Sequence, residues 1–403
     1  MSIPFILLKK AFKLILFVSL AGVLVVSGYI GLLVVSRTSV QALPKPSGSY
    51  TVGRMQLDWS DPTRIDPLAK QADIPRELAI WIWYPAQAEA AQKTAPYFPP
   101  AWAQARDKDQ GIGIIIERRL TRIRTHSYEN APLSGAQPDY PVLIMEPGLG
   151  PAIPDYTVLA ENLASHGYIV VGINPSYSSN LVVFPDGRMV TRSALGTLPD
   201  NATRAQAEGL GDNLISVWAK DVTFVMNQLG KINASQASPF YQHLDLAHLG
   251  VFGHSFGGAT AMVVCQQDSR CKAGANLDGT PFGSGLTAPL PVPFLLMSED
   301  YSNGCDWNCS EFRQAAEHGQ PGAVYDLSIS GTRHFNFSDL PLRMVPAVRP
   351  FFRMAHLIGS IDPARGEEIT NAYLLAFFDR YLKNINPGLL NGPSPQYPEV
   401  EFH

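Results

Sequence analysis

The sequence is poor in charged residues and in cysteine, and each shortage excludes a class of protein. Only 16% of its 403 residues are charged, and the formal net charge is −4. Because basic residues neither outnumber the acidic ones nor cluster among aromatic residues, we expect no nucleic-acid partner. The chain has four cysteines without a companion pair of histidines, so we expect neither a metal ion nor another cofactor. Its 46% of hydrophobic residues is instead typical of a globular protein with an ample core.

The four cysteines fall into two close pairs. Cys265 and Cys271 lie six residues apart, and Cys305 and Cys309 lie four apart. Four cysteines allow three pairings, of which the two local ones are favoured in an oxidising compartment. We therefore expect disulfide bonds between Cys265 and Cys271 and between Cys305 and Cys309.

Charge is absent from residues 14–36, which follow Lys13 and end before Arg37. As a helix these residues would rise about 34 Å, enough to cross the hydrocarbon core of a bilayer. The run is longer than the apolar region of a secretory signal, so it predicts a transmembrane anchor. Lysines before the run predict that residues 1–13 are cytoplasmic and that the bulk of the chain is periplasmic or extracytoplasmic. The alternative is a long signal sequence cleaved after Ala42, which would release a secreted protein.

Residues 37–49 are polar and rich in proline and serine, as in a linker, and residues 50–403 read as one α/β domain. Apolar strand-like runs alternate with helical patterns, which predicts a mostly parallel sheet with helices on both faces. Residues 86–138 look irregular. They could cover an active site, contact lipid, or form an ordinary surface excursion. The expected strands lie at residues 77–85, 142–145, 169–173, before Gly253, up to Leu277, at 293–297 and at 324–329, and the expected helices at 156–164, 205–229 and 367–382.

Residues 253–257 carry the motif Gly-His-Ser-Phe-Gly between an apolar strand-like run and a helical pattern of small and apolar residues. This is a G-x-S-x-G elbow in a strand–turn–helix setting. The glycines are needed because the chain turns so sharply that a nearby Cβ would clash. The turn lifts the serine hydroxyl above the sheet, at the positive end of the next helix. We therefore predict that Ser255 is a nucleophile.

A serine hydroxyl needs a base to take its proton, and His334 is the best candidate. It lies in a loop just past the last predicted strand, and in an elbow hydrolase the histidine comes last in chain order. By contrast, His254 lies inside the elbow and is expected to point away. Two acids could orient His334, because Asp278 and Asp300 each end a predicted strand. Position alone leaves both open.

An oxyanion hole needs backbone N–H groups fixed where negative charge develops. Residues 146–150, Glu-Pro-Gly-Leu-Gly, follow a buried strand and can turn their amides toward the elbow. We expect the N–H groups of Leu149 and Phe256 to be the two donors. The alternative is an ordinary Pro-Gly turn.

These segments together resemble the platelet-activating-factor acetylhydrolases of the plasma, serine-dependent type. The likeness extends over about residues 50–385. It implies an α/β-hydrolase that removes short or oxidised acyl chains from phospholipids without calcium, with Asp278 as the acid. Cutinase-like polyester hydrolases share the fold and the elbow, but their acid would fall near Asp300. The matching segments are Gly253-His254-Ser255-Phe256-Gly257-Gly258-Ala259-Thr260, Asn276-Leu277-Asp278-Gly279, residues 331–337 with Asp339, residues 80–86, residues 130–133, residues 140–144 and residues 147–150.

The sequence departs from that family at the expected site. Pro147 stands where the family often has histidine, and residues 280–282 and 305–309 differ where the substrate pocket is expected. Two other interpretations therefore remain. One is a broader esterase, lipase or polyester hydrolase with the same machinery, and the other is a catalytically silent hydrolase fold that acts as a binding module at the membrane.

Overall fold

The computed structural model describes residues 5–87, 92–109, 116–199, 203–302, 307–319 and 322–403. In this described part, twelve strands form one mixed sheet and two more form a small ribbon. The strands are β1 Gln41–Ala42, β2 Thr51–Ile65, β3 Pro75–Ala86, β4 Thr94–Pro96, β5 Ile123–Glu129, β6 Tyr140–Glu146, β7 Ile169–Asn174, β8 Leu181–Val183, β9 Met189–Thr191, β10 Leu244–His254, β11 Cys271–Leu277, β12 Phe294–Ser298, β13 Val324–Ile329 and β14 Val400–Phe402. The α-helices are α1 Phe5–Thr38, α2 Pro100–Asp109, α3 Thr157–Ser165, α4 Arg204–Ala234, α5 Phe256–Gln267, α6 Ser284–Thr287, α7 Trp307–Glu317, α8 Leu340–Arg343, α9 Arg349–Met354 and α10 Pro363–Leu382.

The sheet has the order β1-β5-β2-β3-β7-β6-β10-β11-β12-β13-β14, with β4 paired to β5. Its central six strands, from β7 to β13, run parallel, whereas β3 and β14 join them antiparallel. The carboxyl ends of parallel strands meet at one edge of a sheet. The loops after β6, β10, β11 and β13 are therefore brought together there.

The core lies on both faces of this sheet, because neighbouring residues of a strand point to opposite sides. In β6, Val142 and Ile144 pack on the face that α4 and α5 cover, and Leu143 and Met145 pack on the face that α3 and α10 cover. The predicted α/β fold with helices on both faces is confirmed.

Residues 86–138 are more regular than expected. Their described part contains α2, the short strand β4 and the seven-residue strand β5. The strand β2 was also missed by the sequence pattern, although it pairs with β3 from Thr51–Ala86 to Ile65–Pro75. The segment that we expected to be a linker packs against the domain, since β1 pairs with β5 and Leu43 is buried.

At the N-terminus, α1 contains an uncharged apolar stretch, and residues Phe12–Thr38 include a window long and apolar enough to cross a membrane. A signal sequence near the N-terminus has the same properties. The chain therefore begins with one apolar helix that suits either role.

The disulfide bond Cys265–Cys271 is present and joins the end of α5 to the start of β11. This prediction is confirmed. The expected bond between Cys305 and Cys309 is not tested, because Cys305 and the side chain of Cys309 lie outside the described part of the chain.

Candidate active site

Ser255 occupies the sharp turn between β10 and α5. Its backbone has φ 54° and ψ −125°, a region that residues with a side chain rarely adopt. Such a conformation costs about 1–3 kcal/mol and persists only where neighbours enforce it. Here the Ser255 N–H donates to the Leu277 carbonyl at 2.8 Å. A Cβ on Gly257 would lie 2.4 Å from the carbonyl oxygens of both Glu146 and Pro147, so only glycine fits this side of the turn.

Three side chains form a continuous hydrogen-bonded array at this turn. The Oγ of Ser255 lies 3.0 Å from Nε2 of His334, and Nδ1 of His334 lies 2.6 Å from Oδ2 of Asp278. An ionised carboxylate only accepts, so Nδ1 carries the proton and Nε2 is free to accept from the serine. The other oxygen of Asp278 accepts from the backbone N–H of Glu299 at 2.9 Å. Asp278 is buried, whereas 36% of the His334 side chain is exposed.

The charges around His334 favour its protonated form. Burial lowers its pKa, but the hydrogen bond and charge of Asp278, together with the charge of Glu299, raise the pKa above its ordinary value. Burial and then the charge of Asp278 raise the pKa of Glu299 to about 7. The site thus stabilises the imidazolium that forms when histidine takes a proton.

Asp300, the other candidate acid, has different partners. Its two carboxylate oxygens accept from the backbone N–H groups of Ser302 and Gly331, each at 2.7 Å. Burial raises the pKa of Asp300, but the hydrogen bond from the Ser302 hydroxyl, the two backbone hydrogen bonds and the charge of Arg333 lower the pKa overall. Asp300 therefore holds the turn that precedes His334, and it is Asp278 that contacts the imidazole.

The loop after β6 lies against the elbow. A Cβ on Gly148 would be 3.3 Å from the Cβ of Ser255. Among the described residues, neither the N–H of Leu149 nor the N–H of Phe256 has a hydrogen-bond acceptor. The first N–H groups of a helix have no partner within the helix, which accounts for Phe256 at the start of α5. Both candidate oxyanion donors are thus available to an added acceptor.

Sequence reasoning missed the roles of Tyr156 and His254. Nε2 of His254 lies 2.9 Å from the carbonyl oxygen of His334, and its Nδ1 lies 2.9 Å from the Tyr156 hydroxyl, which in turn lies 2.9 Å from the N–H of Gly148. Burial, and then the charge of His334, lowers the pKa of His254 well below its ordinary value, despite the opposing hydrogen bond to the His334 carbonyl, so the ring is neutral. A carbonyl only accepts, so Nε2 donates, Nδ1 accepts from Tyr156, and the Tyr156 oxygen accepts from Gly148.

This chain of hydrogen bonds, the Tyr156–His254 bridge, joins Gly148 in the loop after β6 to the backbone carbonyl of His334. His254 could be noticed because it lies within the elbow motif. Tyr156 carries no such signal, because its contact with His254 joins residues 98 positions apart.

A cavity of about 710 Å³ lies against the loop after β6 and the loop after β13, although Ser255, His334 and Asp278 are not among the residues that line it. Leu149 and Gly150 line it next to the elbow, Phe335 lines it next to His334, and Arg192 and Leu340 are also part of its wall. The wall therefore includes apolar, cationic and anionic side chains, the anionic ones being Glu117 and Asp155. On the other side of the elbow, the ring of Phe282 lies 5.6 Å from that of Phe256.

Comparisons with known proteins relate the chain to esterases. A family model described as "Platelet-activating factor acetylhydrolase, isoform II" matches residues 35–182 and 223–387. A probable 1-alkyl-2-acetylglycerophosphocholine esterase of Arthroderma benhamiae is 28% identical over 389 residues, which cover 89% of this chain and 93% of that protein. The platelet-activating factor acetylhydrolase of Cavia porcellus is 24% identical, with 84% of this chain and 78% of that protein covered.

Among solved structures, the ferulic acid esterase from Streptomyces cinnamoneus is similar to this chain with a TM-score of 0.75 and 28% sequence identity. The likeness covers 90% of this chain and 99% of that one. An esterase thus shares nearly the whole fold.

Proposed function

The chain belongs to the platelet-activating factor acetylhydrolase, isoform II, family and is a serine ester hydrolase, and we propose that Ser255, His334 and Asp278 are its catalytic triad. We further propose that its substrates are phospholipid-like esters with short or oxidised acyl chains. The main support for this triad is the hydrogen-bonded array that runs from Asp278 through His334 to the hydroxyl of Ser255, whose backbone is strained.

In the first half of the reaction, Nε2 of His334 takes the proton of Ser255 as Oγ attacks the ester carbonyl carbon. The carbonyl oxygen gains negative charge, and the N–H groups of Leu149 and Phe256 donate to it. Asp278 holds Nδ1–H of His334 and stabilises the positive ring. The imidazolium then gives its proton to the departing alcohol, and the acyl group stays on Ser255.

In the second half, His334 takes a proton from water, and the hydroxide attacks the acyl-enzyme. The tetrahedral intermediate again places its oxygen against the two N–H groups. Its collapse returns the proton to Ser255 and releases the carboxylic acid. Every proton moves between groups within hydrogen-bond reach, so the cycle needs no further cofactor.

The triad is tested by hydrolysis of nitrophenyl acetate. Ser255→Ala should lower kcat by at least about 10⁴-fold, because a triad without its nucleophile retains only the oxyanion hole and binding. Asp278→Asn should lower kcat by about 10⁴-fold, since the wrong histidine tautomer is then favoured. Asp300→Asn is the matched control. If Asp300→Asn lowers the rate and Asp278→Asn does not, the assignment of the acid is wrong.

We also propose that α1 is a membrane anchor, with residues 1–13 cytoplasmic, residues 14–36 in the bilayer and residues 50–403 forming the extracytoplasmic hydrolase domain. The lysines before the span favour this orientation. Cleavage after Ala42 would cut at the end of β1, whose two residues pair with Ile123 and Arg124. The mass of the mature protein and its retention in alkali-washed membranes would decide between anchor and signal.

A second candidate substrate class comes from the ferulic acid esterase, which shares the fold. The open cavity with mixed walls would also admit a bulky aromatic acyl group. Phospholipids that differ only in the second acyl chain, compared with a feruloyl ester, separate the two. A preference for the feruloyl ester would favour the broader esterase.

A further inference from the structure

The cavity beside the loops after β6 and β13 has an excess of positive charge in its wall. Its cationic side chains are Arg106, Arg192 and Arg343, and its anionic side chains are Glu117 and Asp155. Among the described residues that line the cavity, there is thus one more cation than anion. The contacts of each group show which cation is left over.

Two of the arginines are bound by the two carboxylates. Nη1 of Arg106 lies 2.9 Å from Oδ1 of Asp155, and Arg343 pairs with the same carboxylate. Nε of Arg343 also lies 3.1 Å from Oε2 of Glu117. Only 19% of the Arg106 side chain and 4% of the Arg343 side chain are exposed. Because separating a buried ion pair is costly, these two arginines belong to the framework of the wall.

Arg192 has a different environment. It directly follows β9, and it is exposed. Within the part of the chain that the structure describes, its guanidinium has no hydrogen bond, ion pair or aromatic contact. By contrast, Arg188, at the other end of β9, is paired with both Glu77 and Asp186. Arg192 is therefore the cation of the cavity wall that is available to a ligand.

Backbone hydrogen bonds hold Arg192 close to the proposed oxyanion loop. The N–H of Asn180 donates to the carbonyl of Gly150 at 2.7 Å, and the N–H of Arg192 donates to the carbonyl of Asn180 at 3.3 Å. The side-chain amide of Asn180, which also lines the cavity, has no hydrogen bond to another described residue. Two hydrogen bonds thus connect the residue after Leu149 to the backbone of Arg192, and two free donors lie on the same wall.

The position of the cavity relates it to the alcohol part of an ester. In the proposed mechanism, His334 gives its proton to the departing alcohol, which must lie beside the imidazole. Phe335, the next residue, lines the cavity, as does Leu149, whose N–H is a proposed oxyanion donor. Phe282, on the other side of the elbow, does not line it. The alcohol part therefore faces the cavity, and the acyl group faces the side of Phe282.

The chemistry of these donors favours an anion. A guanidinium presents a planar fork of N–H groups that matches the oxygens of a phosphate, and hydrogen bonds between charged groups are stronger than those between neutral ones. A phosphodiester remains negatively charged across the physiological pH range. In a phospholipid-like ester, such a group is carried by the alcohol part.

We propose that Arg192 is a specificity-determining residue that binds a phosphate on the alcohol part of the substrate, with the Asn180 amide as a second donor. This proposal rests on the proposed function and deepens it. It states which part of the substrate the cavity recognises and by which charge. An ester whose alcohol part carries no anion lacks this contact.

The proposal is tested with two dissolved esters that have the same acyl group. One is 1-hexyl-2-acetylglycerophosphocholine, and the other is 1-hexyl-2-acetylglycerol, which has no phosphate. In the full chain at low salt, Arg192→Gln should lower kcat/KM for the first ester by about tenfold, mainly through KM, and leave the second unchanged. Arg192→Lys should recover part of the loss, since it keeps the charge but not the fork. Added salt should reduce the difference, because exposed charges are screened. An unchanged kcat/KM for the phosphate ester would overturn the proposal.

The matched control is Arg188→Gln, which removes an exposed arginine from the same ribbon but outside the cavity wall. It should leave the hydrolysis of both esters unchanged. An equal loss in the two variants would show a general effect of net charge and would refute a specific contact at Arg192.

A second pair of esters tests the side of the site. Nitrophenyl hydrogen glutarate carries a carboxylate on its acyl part, and nitrophenyl butyrate carries none. Arg192→Gln should hydrolyse each of them as the unaltered chain does. A selective loss on the glutarate ester would place the anion on the acyl part and overturn the assignment of the cavity to the alcohol.

Binding of a non-hydrolysable diether separates this proposal from the proposed function. The dissociation constant of 1,2-dihexyl ether glycerophosphocholine, measured by titration calorimetry, should be about tenfold weaker for Arg192→Gln than for the unaltered chain or Arg188→Gln. Equal dissociation constants would overturn the phosphate contact. If the unaltered chain hydrolyses none of the esters, the proposed function fails, and the diether still decides whether Arg192 binds a phosphate.

Discussion

Replacing Tyr156 with phenylalanine removes one oxygen atom from the Tyr156–His254 bridge. The Gly148 N–H then loses its acceptor and Nδ1 of His254 loses its donor, both at 2.9 Å and both buried. Leaving a buried polar group unsatisfied costs about 1–3 kcal/mol. The loop after β6 can shift to satisfy these groups, and the shift would displace the proposed oxyanion donor Leu149. The transition state would then lose a hydrogen bond that the ground state does not depend on. A loss of 1–3 kcal/mol corresponds to a fall in kcat of about 5- to 150-fold.

The assay is steady-state hydrolysis of nitrophenyl acetate, with thermal unfolding measured in parallel. For Tyr156→Phe we expect kcat to fall within that range while KM changes little, because the ground-state contacts of a small ester are not altered. Tyr84→Phe is the matched control, since Tyr84 is equally buried and donates to the Ala131 carbonyl at 2.7 Å on the α4 face of the sheet. It should lower the stability without changing kcat. The reasoning is refuted if Tyr156→Phe keeps its kcat, or if both variants lose it alike.

Three further outcomes are expected. Because the pKa of His334 is raised, its neutral form appears only at higher pH. We therefore expect kcat/KM to rise with pH through a midpoint above the ordinary histidine pKa of about 6.5. A midpoint below that value would contradict the charges found around the ring. The Glu299 carboxylate is ionised above about pH 7, and its charge raises the pKa of His334. Glu299→Gln removes this charge, so the same pH profile should move to lower pH. Gly257→Ala places a Cβ 2.4 Å from two carbonyl oxygens. This variant should therefore have a lower melting temperature and should no longer be labelled at Ser255 by a fluorophosphonate. Unchanged labelling would show that the turn can relax.

The proposed nucleophile and the proposed base can be found from the sequence because their signals are local. The elbow needs glycine at fixed offsets from Ser255, since a Cβ there meets backbone atoms. His334 follows the last parallel strand of the sheet, and parallel strands place such loops at one edge. Neither inference requires knowledge of a distant contact.

The acid was not decided by the residues alone, because the strands ending before Asp278 and Asp300 are neighbours in the sheet. Their difference lies in hydrogen bonds made after folding, when Asp300 is occupied by two backbone N–H groups and Asp278 is left to face the imidazole. The strand β2 was hidden for a related reason. It contains proline and several charged residues, and its pairing along β3 stabilises a conformation that its own composition does not favour.

The Tyr156–His254 bridge explains why the residue before the nucleophile is a histidine. A neutral imidazole can donate at one end and accept at the other across this gap. A leucine at position 254 would leave the carbonyl of His334 without a donor and the hydroxyl proton of Tyr156 without an acceptor, both in a buried place, at about 1–3 kcal/mol each. Because the same bonds hold the loop with Leu149 and the loop with His334, any displacement of one loop is transmitted to the other. The loop with the proposed oxyanion donor Leu149 and the loop with the proposed base are therefore linked by one set of hydrogen bonds, and the elbow contributes both the proposed nucleophile and the histidine of that set.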